Sequence, residues 1–192
     1  MINMGKVKDG MKDDNDFELI TSRRPPYDSK KLKKLASYAH GKVLDIGFNQ
    51  NPNPFLEIDT GIDITIQDKP YNYKRVIKVD AQRFTDVIKD KFDTIMAGGL
   101  MENQESPAKF LRECHKALKD NGTLVIANPN PYYLPYVFFE LINNHRYFFN
   151  GSVINVFPPR VMFKLLKYTG FKLKKMEFSI FNYSVFYVCE KS

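Results

Sequence analysis

Short apolar runs recur along the chain, and between them lie stretches whose apolar residues return every three or four positions. Val43, Leu44 and Ile46 sit within Lys42–Gly47, bounded by turn formers, and read as a buried strand. Further short strands are predicted at Gly61–Ile64, Val76–Val79, Phe92–Ala97 and Thr123–Ala127. Ser29 is placed to cap a helix over residues 30–40, with Leu32, Leu35 and Ala39 on one stripe, lysines opposite, and Gly41 at its end. The clearest helix runs from Pro107 to Lys119, with Ser106 at the cap and Phe110, Leu111, Cys114 and Leu118 as the buried stripe. Pro158-Pro159 opens another, closed by Gly170, with Val161, Leu165 and Leu166 facing inward. Two aromatic and β-branched runs, Phe171–Phe178 and Ile180–Cys189, predict a closing antiparallel hairpin. Strands alternating with helices predict an α/β fold: a mostly parallel sheet with helices on both faces and an antiparallel C-terminal strand. Only about twelve residues separate the first two strands, so the first crossover helix must be very short.

Length and composition narrow this further. At 192 residues the chain suits one domain of ordinary size, expected over residues 17–192 behind a polar, flexible tail at 1–16. Two cysteines, Cys114 and Cys189, give neither a disulfide framework nor a metal-ligand spacing, so no metal is expected. No stretch of about twenty apolar residues predicts a membrane span, and Met1–Asp16 lacks the apolar core of a secretory signal. A cytoplasmic protein is expected. The net charge of +7 is uneven: residues 131–192 hold eight Lys/Arg against three Asp/Glu, while residues 41–130 hold twelve against thirteen. A basic far end can meet an anionic partner or simply be a solvated face.

In a parallel sheet of this kind, ligands bind outside the carboxyl ends of the strands, and three strand ends here carry an acid. Asp45 precedes Gly47, Phe48, Asn49, Gln50 and Asn51; Gly47 permits a close turn, and Asn49 and Asn51 tolerate left-handed geometry. A pyrophosphate-binding loop needs more glycines and no acid beside it, so this loop favours a cofactor with a cationic end. Asp63, followed by Ile64, is placed to accept ribose hydroxyls, and Asp80 to take an adenine amine beside the Ala81 N–H.

These motifs, together with Phe92–Ala97 and Phe110–Ile126, resemble class I S-adenosylmethionine-dependent methyltransferases in order and spacing over roughly residues 30–130. The block ending in Ala127-Asn128-Pro129-Asn130 resembles the branch that modifies sugars, lipids or small metabolites. The resemblance implies a Rossmann-like seven-stranded sheet with the last strand antiparallel, and S-adenosylmethionine as cofactor. It implies that Asp45, Gly47, Phe48 and Asn49 line the methionine end, that Asp63 holds the ribose and Asp80 with Ala81 the adenine, and that Ala97, Gly98, Gly99 and Leu100 flank the methyl donor. Two departures stand out. Asn49 and Asn51 occupy positions where the family carries glycine, and Asn103 follows Glu102 where many relatives have Glu-His.

The acceptor site is expected after the fifth strand, where residues 131–149 hold eight aromatics, among them Tyr132, Tyr133 and Tyr136. With Asn128 and Asn130 they form a candidate acceptor-binding and lid segment over 131–155; the same aromatics also fit the core contacts of a helix over 134–144. His145 is the candidate base, as the histidine of this segment, whereas His40 and His115 are expected on helices facing solvent. Asn128–Tyr133 resembles the Asn-Pro-Pro-Tyr signature of adenine amino-methyltransferases, but it follows the fifth strand rather than the fourth and carries an extra Asn. The reading is methyl transfer to a small acceptor, a hydroxyl of a sugar, glycan precursor or metabolite. A nucleic-acid methyltransferase and a non-catalytic binding module of the same fold stay open beside it.

Overall fold

In the computed structural model, which describes residues 26–142, 153–179 and 182–192, the chain runs α1 (Pro26–Ala36), β1 (Val43–Ile46), β2 (Ile58–Asp63), β3 (Tyr73–Lys78), β4 (Phe92–Gly98), α2 (Pro107–Ala117), β5 (Leu118–Pro129), α3 (Leu134–Leu141), α4 (Pro159–Tyr168), β6 (Phe171–Phe178) and β7 (Ser184–Lys191). The tail expected at 1–16 lies outside the described residues. The strands form one seven-stranded sheet in the order β3-β2-β1-β4-β5-β7-β6. β1 to β5 are parallel, and β7 runs antiparallel between β5 and β6. No helix among the described residues is long and apolar enough to cross a membrane.

Side chains alternate across the pleat, and the alternation sorts the core into two layers. Leu44, Ile46, Ile95, Ala97, Leu124 and Ile126 pack with Phe110, Leu111 and Cys114 of α2 and Met162 and Leu166 of α4. Val43, Met96, Val125 and Ala127 face the other way, onto Leu32 and Leu35 of α1. Helices therefore cover both faces, as the sequence pattern requires.

Several boundaries differ from the sequence reading. α1 begins at Pro26, so Ser29 is helical rather than capping, and the helix ends at Ala36 before the Gly41 turn. Leu118 is the first strand residue of β5, opposite Phe92, and is buried there rather than on a helix stripe. Ser106 makes no side-chain cap to α2; its N–H donates to Gln82 Oε1 at 3.0 Å.

The first crossover is not a short helix but contains none. Residues 47–57 and 64–72, which link β1 to β2 and β2 to β3, have no helical turn. Polar side chains hold them instead. Tyr73, 1% exposed at the start of β3, donates its hydroxyl to Asp45 Oδ2 at 2.5 Å and accepts the Asn53 N–H at 3.0 Å. Asn53 Nδ2 reaches the Leu32 carbonyl at 2.9 Å, and Asn72 Nδ2 donates to the carbonyls of Asn53 and Leu56 at 2.7 Å each. The loop is thus tied to α1, β1 and β3 at once, which satisfies buried backbone groups that a helix would otherwise have paired. Gly61 makes the room: a Cβ there would stand 2.6 Å from Tyr73 Cδ1 and 2.8 Å from the Phe48 ring, whose centroid lies 4.9 Å from that of Tyr73. Burial pushes the Asp45 carboxyl up to about 7, with the Asp63 charge adding to the effect and the Tyr73 hydrogen bond opposing it.

Two outcomes follow from this pin. Gly61→Ala drives a methyl into two packed rings and is expected to cost about 1–3 kcal/mol in urea denaturation; an unchanged midpoint contradicts the packing. The folded Asp45 carboxyl keeps its proton up to about pH 7, whereas the unfolded chain loses it near pH 4. The native state therefore binds the extra proton in that window, and stability falls as pH rises through it. Asp45→Asn lacks the group, so its melting temperature relative to the unsubstituted protein is expected to rise between pH 4 and pH 8. A constant difference across that range counts against a buried, proton-holding carboxyl.

Candidate functional site

The chain lays down β1, β2 and β3 outward in one direction, then returns to β4 beside β1, so the strand order reverses between β1 and β4. Crossovers on either side of that point leave to opposite faces and part above the strand ends. A cleft of about 740 Å³ opens there, lined by the ends of β1, β2, β4 and β5 and by the turn after β3. That volume lies within the range of small-molecule sites.

Gly47, Asn49, Asp63, Ile64, Asp80, Ala81, Gly98, Gly99 and Leu100 all line this cleft, with Asn128 on its far wall. Gly47 has φ +78°, and a Cβ on it would stand 2.9 Å from Leu100, so the loop lies bare-backboned across the turn after β4. Asp63 accepts the Asn49 N–H on Oδ2 and the Thr65 N–H on Oδ1, both at 3.0 Å. The Thr65 hydroxyl makes a longer contact to Oδ1 at 3.5 Å, and since a carboxylate has about four lone-pair sites, Asp63 keeps capacity for a further donor. Asp80 Oδ1 accepts the Gln82 N–H at 2.8 Å, a side-chain turn that holds the carboxyl at the strand tip.

Three residues expected to border the cofactor are not among those lining the cleft. Asp45 lies under the loop on the Tyr73 hydroxyl, 7% exposed; Phe48 is packed on Tyr73; Ala97 is fully buried among the α2-side residues. With no crossover helix after β1, Tyr73 and Phe48 fill that face, so Asp45 and Phe48 turn beneath the loop rather than into the cleft. Asn49 and Asn51 also differ in role: neither has a positive φ. Asn49 instead ties the loops together, its Oδ1 accepting the Gln67 N–H at 3.1 Å.

Of the acceptor candidates, Asn130 is used structurally. Its N–H donates to the Tyr183 carbonyl, its Nδ2 to the Asn182 carbonyl, and its Oδ1 accepts the Tyr132 N–H. Tyr132 is 63% exposed and, like Tyr133, does not line the cleft. Tyr133 stands edge-on to Tyr136 and Tyr183, at 5.2 and 5.7 Å between centroids, and it is those two rings that border the cleft. His145 lies outside the described residues. His40 follows α1 and is exposed, but His115 is half-buried, edge-on to Phe171, and its pKa is lowered by burial.

Lys31, Glu102 and Gln104 also line the cleft, and neither strand-end position nor aromatic density pointed to them. Lys31 comes from α1, where an amphipathic pattern marks it only as a solvated lysine. Glu102 is 7% exposed in the short turn Met101–Asn103, and burial pushes its carboxyl up to about 7 against its own backbone N–H and the Lys31 charge. A buried acid in a turn has no periodic signature.

The chain matches the family model described as a methyltransferase domain over residues 20–175. An uncharacterized protein of Methanocaldococcus jannaschii is 26% identical over 154 residues, covering 79% of this chain and 73% of that protein. A SAM-dependent methyltransferase from Archaeoglobus fulgidus superimposes with a TM-score of 0.68 at 18% identity, covering 91% of this chain and 98% of that one. Magnesium protoporphyrin IX methyltransferase from Synechocystis, solved with bound SAH, gives 0.68 at 13% identity, covering 93% and 94%. A Burkholderia thailandensis 1,6-didemethyltoxoflavin-N1-methyltransferase gives 0.63 at 12% identity, covering 93% and 83%. With its cleft at the reversal of strand order and the family match spanning most of its length, the chain belongs to the methyltransferase-domain family and has the fold of S-adenosylmethionine-dependent methyltransferases.

Proposed function

We propose that this protein transfers a methyl group from S-adenosylmethionine to a hydroxyl of a small acceptor, a sugar, glycan precursor or related metabolite. The observation that carries the cofactor assignment is the pair Asp63 and Asp80, carboxylates at neighbouring strand ends on one cleft, beside the bare backbone of Gly47 and Gly99. In this reading Asp63 accepts from the ribose hydroxyls with its remaining acceptor capacity, and Asp80 with Ala81 meets the adenine edge. The Gly47 turn and the Gly98–Leu100 turn enclose the methionine end. The residues present fit an adenosyl sulfonium: acids are available to hydroxyls and to a cation, and side chains are absent where backbone must approach closely.

The cofactor, when bound, supplies an electrophilic methyl whose leaving group departs as a neutral thioether, so the protein has no need of an acid for it. What the chain must provide is alignment of the acceptor and exclusion of water. Tyr183, half-buried at the cleft wall and packed on the buried Tyr136, offers a ring suited to stacking on a sugar or a flat ring. Two of the structural neighbours are named for flat ring compounds, which supports a small-molecule acceptor here.

Calorimetry with S-adenosylhomocysteine checks the cofactor site. Asp63→Ala is expected to weaken binding at least tenfold, about 1.4 kcal/mol or more, through the lost charge-assisted hydrogen bonds. An affinity equal to that of the unsubstituted protein removes Asp63 from the site. Methyl-labelled cofactor incubated with the protein and fractionated cell extract is expected to label a low-molecular-weight fraction; label in nucleic acid would replace the acceptor class.

A further inference from the structure

The wall between β4 and β5 holds polar atoms that the cofactor reading leaves unused. Glu102 Oε2 and both side-chain polar atoms of Asn128 are buried without a hydrogen-bond partner among the described residues. Such atoms are costly to leave unpaired and in native sites are commonly completed by a ligand or water. Glu102 is 7% and Asn128 2% exposed. Both residues border the main cleft, and both also border a recess of about 10 Å³ behind it, shared with Pro129, Asn155 and Phe157. That recess has room for about one water- or hydroxyl-sized group.

The backbone sets the pair beside the expected methyl position. Gly98 pairs with Ala127 across the sheet, the Gly99 N–H donates to the Ala127 carbonyl at 2.8 Å, and Asn128 follows directly. A Cβ on Gly99 would lie 3.6 Å from Glu102 Oε1 and 3.8 Å from Lys31 Nζ, so the carboxyl head sits over the same turn that encloses the methionine end. The Glu102 carbonyl accepts the N–H groups of Ile154 and Asn155, both at 2.9 Å, which fixes the turn from behind.

Resting on the methyl-transfer reading above, we propose that Glu102 and Asn128 hold the nucleophilic hydroxyl of the acceptor and that Glu102 is the base that receives its proton. The hydroxyl oxygen forms a bond to the methyl carbon as the carbon–sulfur bond breaks, and sulfur keeps that electron pair. The proton passes from the oxygen to Glu102 Oε2, so sulfonium, hydroxyl and carboxylate become thioether, methyl ether and carboxylic acid. The arrangement selects the acceptor class: a hydroxyl donates to the carboxylate and accepts from the Asn128 amide, whereas an acceptor carboxylate would meet a buried like charge. A carboxyl raised to about 7 is matched to proton removal near neutral pH. The groups that face Glu102 are Lys31 from α1, whose charge favours ionisation, and the neutral Asn128 from β5 and Asn155 from the segment behind; Asp63, Asp80 and Glu105 line the same cleft.

Sinefungin, in which an amine-bearing carbon replaces the methylated sulfur, tests this without the natural acceptor, because its ammonium projects where methyl and nucleophile meet. Calorimetry of the full chain with sinefungin and with S-adenosylhomocysteine separates Glu102 from the rest of the site. The unsubstituted protein is expected to prefer sinefungin, and Glu102→Gln to reduce that preference about tenfold while S-adenosylhomocysteine affinity stays within about twofold. The retained S-adenosylhomocysteine affinity also reports that the variant is folded. In the unsubstituted protein, the preference is expected to fall as pH drops below about 7, as Glu102 takes up its proton, and to level off above it. A sinefungin preference that is unchanged in Glu102→Gln and flat with pH overturns the proposal and leaves the recess to a structural water. A preference lost in His145→Ala but kept in Glu102→Gln overturns it in favour of His145. Failure of the unsubstituted protein to bind either compound overturns the cofactor reading, and this inference with it.

Discussion

The hydrogen bond from the Tyr73 hydroxyl to Asp45 is the constraint on which the cleft depends. In a doubly wound sheet, crossover helices cover the faces and pair their own backbone groups internally. Neither of the first two crossovers has a helix, so the loop after β1 relies on side chains as well as a few backbone bonds for its partners. Tyr73 supplies them by reaching under the loop to Asp45 and accepting the Asn53 N–H, and Gly61 keeps the space open for its ring. With Asn49 held on Asp63 and Asn53 on the Leu32 carbonyl, the pin sets the loop carrying Gly47 and Asn49 against the sheet as one wall of the cleft.

The carboxylates near the site fall into two kinds. Asp63 and Asp80 stand half-exposed at strand tips, bonded to backbone N–H groups, and are oriented toward the cleft. Asp45 and Glu102 are buried, and desolvation raises both to about 7. A half-exposed acid holding amides suits reversible recognition of hydroxyls and amines. A buried acid suits either a structural hydrogen bond, as at Asp45, or the receipt of a proton, as assigned to Glu102.

The fold was largely legible because it depends on local periodicity. The short apolar run Phe92–Ala97 marks a strand, which the structure buries on both faces, and the stripe Phe110, Leu111 and Cys114 marks the buried side of its helix. The strand-end acids Asp63 and Asp80 were legible for the same reason, since the end of a parallel strand is a fixed address. What failed to show was decided by distant contacts. Asp45 carries the same strand-end signature as Asp63, and only the Tyr73 side chain, 28 residues away, turns it inward. Tyr136 and Tyr183 reach the cleft through packing between α3 and the turn before β7, while the more conspicuous Tyr132 and Tyr133 do not line it. Glu102 owes its character to burial, which no spacing encodes.

Backbone amide shifts on addition of S-adenosylhomocysteine to the isotope-labelled protein test the cleft most directly, because they map contact residue by residue. The largest changes are predicted at Gly47, Asn49, Asp63, Asp80 to Gln82 and Gly98 to Leu100, with the outer strands β3 and β6 little affected. Saturating changes centred elsewhere, or a spectrum that does not respond at all, would contradict an adenosyl site at the reversal of strand order.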